Sequence, residues 1–182
     1  MFTEAEFWAI RCTPQDISVL LRTEHTKQCL AVSIEPGEAR DILQAISKDD
    51  EDTQNFSEFF SLFTQAISMP PEYIEISQSD EEGTYTAMVH FSDHNLGSGK
   101  NIAVEAHTPL ALTLAAYFSI PIFLEDALLE AEGSKIMPTE NWNAPAEYLA
   151  KLKGELEQKV REEEYEQAAA IRDHIKQIEG IL

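Results

Sequence analysis

The chain has 182 residues, 43% of them hydrophobic, and a formal net charge of −20 from 33 acidic against 13 basic side chains. That length and apolar content suit one medium domain with a real core plus a small appendage. The charge excludes a protein that holds polyanions by electrostatics, because such proteins carry a basic patch and no cluster of Lys or Arg occurs here.

Residues 6–13 alternate apolar positions and read as a strand; 17–21 and 29–34 read as two more, with 23–28 as the polar hairpin loop between them. Cys12 and Cys29 lie in these apolar runs. They give neither a disulfide framework nor a paired metal spacing, so buried free thiols in a reducing cytoplasm are expected. Pro36, Gly37 and Glu38 open a helix continued by Ile42, Leu43 and Ile46, with proline and an early acid as start signals. An acidic loop, 48–54, follows. Phe56, Phe59, Phe60, Phe63 and Ile67 mark a second helix whose aromatic face is expected to be core, and Pro70 and Pro71 end it. A strand begins at Tyr73, Ile74 and Ile76. Residues 80–83 turn into a strand over 84–91, where Tyr85, Ala87, Val89 and Phe91 share one face. A Gly/Ser/Asn loop over 92–100 leads to a strand at 102–105. Thr108 and Pro109 cap a helix through Phe118, so rich in Ala and Leu that it should be buried. A short strand at 121–124 and a helix at 125–132 complete the domain. The longest apolar run, 110–124, contains Pro121 and is too short to span a bilayer, and the first six residues lack the basic start of a signal peptide.

Strands and helices interleave without a strict βαβ rhythm, which predicts an α+β fold, a mixed β-sheet with packed helices. The expected organisation is a domain over 1–133, a linker over 134–146 containing Pro138, Trp142 and Pro145, and a helical segment over 147–182. Charge is uneven: residues 1–140 carry a net −17 and residues 141–182 a net −3.

The final segment is the most regular part of the chain. Leu149, Leu152, Leu156 and Val160 mark one helical face; Tyr165, Ala168, Ile171, Ile175, Ile178 and Leu182 mark another. Glu162, Glu163 and Glu164 separate them. Two helices of roughly 12–17 residues joined by a tight turn form an αα-hairpin, and each alone is marginal in water. Either it packs on its own domain or it pairs with something else. Ala168, Ala169 and Ala170 allow close helix approach, and Arg172 with Asp173 reads as an ion pair within the hairpin.

Tyr165, Glu166, Ala168, Ala169, Ile171, Arg172, Asp173 and Ile175, with Leu152 and Leu156 before them, resemble the UVR motif, a hairpin found in nucleotide-excision-repair proteins. Glu163 stands where that family usually has Leu, which points to a looser inter-helix turn. The resemblance implies an association device without chemistry of its own. It pairs with another copy, giving a homo-oligomer, or docks on a partner protein through Leu152, Leu156, Tyr165, Ala168, Ala169, Arg172 and Ile175.

The run from Val104 through Ala115, then Ile120 to Leu124, is similar to the bifunctional nuclease family, whose members cut DNA and RNA. Leu30 to Ile34, followed by Glu38, Ala39 and Ile42, resembles that family's early strand and helix, and Thr53 to Phe56 sits where it has Thr-His-Asp-Leu. In this chain His107 stands at the family's Arg, Thr108 at its Pro, Pro109 at its Ser and Leu110 at its Asp; Gln54 replaces His and Asn55 replaces Asp. The resemblance implies candidate catalytic residues Glu105, His107, Glu38 and Thr53, and a divalent cation, Mg²⁺ or Mn²⁺, to neutralise charge on a scissile phosphate. Glu105 and His107, two apart on a strand, are expected to share a face as an acid/base pair or metal ligands. His90 and His94 offer a second metal spacing, and Glu38 also suits the helix dipole as plain structure. Two functions follow: a nuclease tethered by its hairpin, or a catalytically inactive adaptor of the same fold. Nucleic-acid contact is expected to be weak given the charge, and no membrane contact is expected.

Overall fold

The computed structural model describes residues 1–13, 16–47, 56–78, 85–92, 102–135 and 145–179. Eight strands form a mixed sheet: β1 (Phe2–Cys12), β2 (Ile17–Thr23), β3 (Gln28–Ser33), β4 (Pro71–Gln78), β5 (Tyr85–Phe91), β6 (Ile102–His107), β7 (Ile122–Glu125) and β8 (Ser134–Lys135). The helices are α1 (Pro36–Ser47), α2 (Phe56–Ala66), α3 (Thr108–Phe118), α4 (Asp126–Glu132), α5 (Pro145–Arg161) and α6 (Tyr165–Glu179). The fold is therefore α+β with a C-terminal αα-hairpin.

The strand order β6-β5-β4-β7-β1-β2-β3-β8 splits into two antiparallel meanders joined through β7. After β4, β5 and β6, the chain crosses through α3 and returns as β7, parallel to β4, with Ile74 opposite Ile122 and Ile76 opposite Leu124. The other edge of β7 takes β1 antiparallel, from Phe2 opposite Glu125 to Ala5 opposite Ile122. Ile122, Phe123 and Leu124 pair on both sides and so hold the two halves together, with Ile122 and Leu124 buried as suits a central strand. Two further bonds fasten this seam: the Asp126 amide donates to the Met1 carbonyl at 2.9 Å, and Thr3 Oγ1 donates to Asp126 Oδ1 at 2.7 Å.

A bulge between Phe7 and Ala9 leaves Trp8 as an extra residue in β1, and such bulges increase local twist. The sheet curls far enough that Ala31, Val32 and Ser33 of β3 line one cleft with Tyr85, His107 and Thr108 of the opposite end. Helix α3 occupies the hollow, with Ala111, Leu112, Leu114 and Ala115 buried against α1 and strands β4, β5 and β6. Thr108 Oγ1 ties its first turn to the Tyr85 carbonyl at 2.8 Å, and Ser119, at φ 56°, ends it in a left-handed cap. Gly133 closes α4; a Cβ there would lie 2.3 Å from the Leu129 carbonyl oxygen, so only glycine allows the approach.

Three expectations change. The aromatic face of α2 is not core: Phe59 is 62% and Phe63 49% exposed, while Ser57 and Thr64 face inward and are buried. Among the described aromatic residues of α2, Phe60 carries the helix onto the domain, edge-on to Phe91 at 6.1 Å and to Phe118 at 6.2 Å. The side chain of Phe56 lies outside the described residues. Strands also run further than their apolar patterns: β1 starts at Phe2 and β4 at Pro71, the first residue of its strand, where a missing N–H is tolerated. And the expected linker begins as β8, where Ser134 and Lys135 pair with Cys29 and Gln28.

Helices α5 and α6 pack on each other and α5 packs on β1, so Leu152 and Ile175 join the same buried cluster as the sheet. The turn between them is tight. Glu163 adopts φ 60°, and the amides of Glu162 and Glu164 donate to the carbonyls of Gln158 and Lys159 at 3.0 Å each. Lys159 Nζ bridges Glu164 at 2.6 Å and Glu162 at 3.1 Å. These hydrogen bonds raise the Lys159 pKa, Glu164 first, while Gln158 and then Lys159 lower that of Glu162. The looser turn expected from Glu163 does not occur, because backbone bonds and the lysine bridge do what a buried leucine does elsewhere. No helix among the described residues is long and apolar enough to cross a membrane.

Candidate functional site

Two of the four expected site residues meet at the entrance to α3. Glu38 lies in the first turn of α1 because Glu35 caps it: the Ala39 amide closes the first helical bond to the Glu35 carbonyl at 3.0 Å. One oxygen of Glu38, Oε2, accepts the Glu35 amide at 2.8 Å, which is the reciprocal half of a capping box. The other, Oε1, stands 3.4 Å from His107 Nδ1. His107 is the N-cap residue of α3, and Pro109 in the first helical turn fixes how the chain leaves the strand. Its side chain is 75% exposed, against 30% for Glu38. Glu38 is therefore both the structural cap expected of a helix start and a partner of His107.

The pair borders a cleft of about 290 Å³ between α1, α2 and α3, lined also by Asp41, Ser57, Pro109 and Leu110. His107 separates it from the second cleft, about 250 Å³, that Ser33, Tyr85 and Thr108 share. The hydroxyl of Tyr85 donates to Glu132 of α4; burial first, then this bond and the Glu132 charge, push its pKa well above the usual tyrosine range.

Glu105 does not join them. It is exposed on β6, opposite Met88, while His107 at the strand end turns toward α1. The alternation that puts both on one face holds for backbone geometry, but the last residue of a strand that caps a helix takes its direction from the helix. Thr53 lies outside the described residues, as does His94. His90 is engaged elsewhere: its Nε2 is 2.9 Å from Glu75 Oε2, and its ring stacks on Tyr73 at 4.2 Å. Tyr73 is in turn edge-on to Phe123 at 5.6 Å; burial, then Glu75 and Glu72, raise the pKa of its hydroxyl. This ladder pins the outer face of β5, β4 and β7 and gives His90 partners there, while its expected pairing with His94 lies outside the described residues.

Among the described residues, no three His, Cys, Asp or Glu side chains gather where a metal ion would sit. Both Glu38 oxygens already have partners. Among the described residues the donors at the cleft are thus the Glu38–His107 pair with Asp41 beside it. Sequence reading missed Asp41 and Ser57. Asp41 is one helical turn beyond Glu38 and was legible from that spacing; Ser57 reaches the cleft only because α2 turns its hydroxyl face inward.

In the hairpin, Leu152, Ala168 and Ile175 are buried within the chain, and Leu156 and Ala169 are half-buried. Tyr165, 65% exposed, and Arg172, paired with Asp173 at 3.1 Å, face outward. Of the seven expected partner contacts, these two are open on the surface of a single chain.

A family model described as the bifunctional nuclease domain matches residues 19–137, and one described as the UvrB/uvrC motif matches residues 146–181. No curated protein matches the chain.

Proposed function

The chain belongs to the bifunctional nuclease domain family, and from that membership we propose that it hydrolyses nucleic-acid phosphodiesters at the cleft between α1 and α3, with its hairpin docking a protein partner through Tyr165 and Arg172. The observation that supports the site is the Glu38–His107 pair, 3.4 Å apart at the mouth of a cleft. With Nδ1 directed at Glu38, Nε2 is left on the far side of the ring. From there it takes a proton from an attacking water or returns one to a leaving oxygen, while the carboxylate holds the ring and stabilises its charged form. General acid–base help of this kind contributes on the order of 10²–10⁴ in rate. Asp41 widens the negative field around the imidazole. A Mg²⁺ or Mn²⁺ ion that takes one carboxylate and completes its shell with water and phosphate oxygens would lower repulsion between this cleft and the substrate.

The net charge of −20 sets a further expectation. Nucleic-acid binders that work by positive charge weaken as salt rises. Here moderate salt screens repulsion, so affinity holds or improves.

The test is cleavage of single-stranded DNA and RNA by purified protein, with Mg²⁺, with Mn²⁺ and with chelator. His107→Gln and Glu38→Gln are expected to lower kcat at least 100-fold, within the range of general acid–base catalysis, and Glu105→Gln to leave it unchanged. Loss of activity in Glu105→Gln alone moves the site to the outer face of β6. A rate that none of the three variants alters belongs to a contaminant and leaves the second reading, an inactive adaptor. The exposure of Tyr165 and Arg172 on the hairpin is the observation that supports that reading. It predicts a pull-down partner that is lost when Tyr165 and Arg172 are replaced.

A further inference from the structure

Helix α2 and strand β6 expose apolar side chains at one end of the molecule. Phe59, Leu62, Phe63 and Ile67 on or just after α2, and Ile102 and Val104 on β6, are each two-fifths or more exposed. They flank one contact: Phe60 of α2 packs on Phe91, and the cross-strand neighbour of Phe91 on β6 is Ile102. Among the described residues β6 ends the sheet. Its sequence carries no proline or lysine, the residues that usually protect an open edge from pairing. A helix that buries Ser57 and Thr64 while exposing Phe59 and Phe63 has its apolar face turned to something outside the single chain.

We propose that β6 and the outer face of α2 dock a second copy of this chain, across a two-fold axis at Val104 that joins the two sheets edge to edge. Three arguments select the occupant. At roughly 150–200 Å² for each large apolar residue, the six exposed fractions amount to about 500 Å² per copy and about 1,000 Å² for two, the floor for a specific interface. Second, each copy carries a charge of −20, so two copies approach best at a face poor in carboxylates, and the described ones on these two elements are Glu58 on α2 and Glu105 on β6. Third, the strand is self-complementary in one register. Opposite residues of an antiparallel pair share a face, so the axis falls on a residue. On Glu105 it sets two carboxylates against each other, which is unfavourable. On Ala106 it loses Ile102 and recruits His107, which is already turned to Glu38. On Val104 it sets valine against valine, Ile102 against Ala106 and Glu105 against Ala103.

Light scattering on the full chain tests this directly. The wild type is expected at twice the 20.5 kDa chain mass, Val104→Lys and Phe63→Glu at the single mass, and Tyr165→Ala still at twice. Because both substituted residues are half exposed in the single chain, circular dichroism should show an unchanged fold while the melts lose their dependence on protein concentration. Val104→Cys gives a second reading: directly opposite Cα atoms in antiparallel strands lie within disulfide reach. Oxidation should therefore link Val104→Cys to its own copy far faster than Ile102→Cys, with Cys12 and Cys29 buried and out of play. A wild type at the single mass at every concentration overturns the proposal. So does equal cross-linking of the two cysteine variants, or a dimer that Tyr165→Ala dissolves and Val104→Lys does not.

Discussion

Helices α2 and α3 have eleven residues each and a similar wealth of apolar side chains, yet the molecule uses them in opposite ways. Helix α3 is the crossover between β6 and β7 and fills the hollow of a curled sheet, so nearly its whole circumference meets other atoms. Helix α2 sits outside it, touching the domain through Phe60 and a stripe of hydroxyls. Apolar content alone does not say which side of a helix is inside; the number of surfaces that reach it does. A helix enclosed by sheet on several sides buries all its faces, whereas one laid on a finished core buries a single stripe and leaves the rest for another molecule.

This contrast fixes a ranking of effects. Leu112→Ala in α3 removes a fully buried side chain from a site that cannot collapse easily, and should destabilise by about 2–5 kcal/mol in urea melts. Phe60→Ala removes an aromatic anchor of α2 and should cost about 2 kcal/mol, less than a fully buried phenylalanine because the ring is only half-buried. Phe59→Ser should change the stability of the isolated chain by no more than about 0.5 kcal/mol. Equal losses at Leu112 and Phe59 would mean that α2 is core after all.

The last expected effect is one of pH, and between the two helices it acts on the α3 side. The folded state holds the Tyr85 hydroxyl neutral, well above its ordinary value of 10. Above pH 10 the unfolded chain therefore releases a proton that the folded chain keeps, so stability is intact below that value and falls as pH rises past it. The Tyr85 carbonyl also receives Thr108, so above pH 10 the protection of the first amides of α3, corrected for base-catalysed exchange, should fall relative to that of α2. Tyr85→Phe should weaken this pH dependence and leave the part carried by Tyr73, whose hydroxyl is also held up; a dependence unchanged in that variant would assign it to another group.

Much of the fold was legible from residues alone. The interleaved strands and helices, the buried Ala/Leu helix after Thr108 and Pro109, and the two-helix hairpin all follow from periodicity and stop signals, which are local. The hairpin's buried stripe was equally legible, but its use was not: the same Leu152 and Ile175 that suit a partner helix are buried in the chain's own core, where α5 packs on β1. The candidate site was half legible. Glu38 and His107 came from a family pattern, and nothing local joins residues so far apart in the chain. Glu105 looked as good as His107 because alternation along a strand says nothing about the residue that begins the next helix.

The sequence by itself determined the class of fold, the order of its elements, the residues able to ionise near α1 and α3, and the strong negative charge, since each depends on neighbours along the chain or on composition. Tertiary structure alone decided that β7 joins two meanders, that α2 faces outward, that Glu38 meets His107, and that β6 is left as an open edge. Those outcomes depend on how far the sheet curls and which surfaces are already occupied when each helix arrives, and no local stretch of residues carries that information.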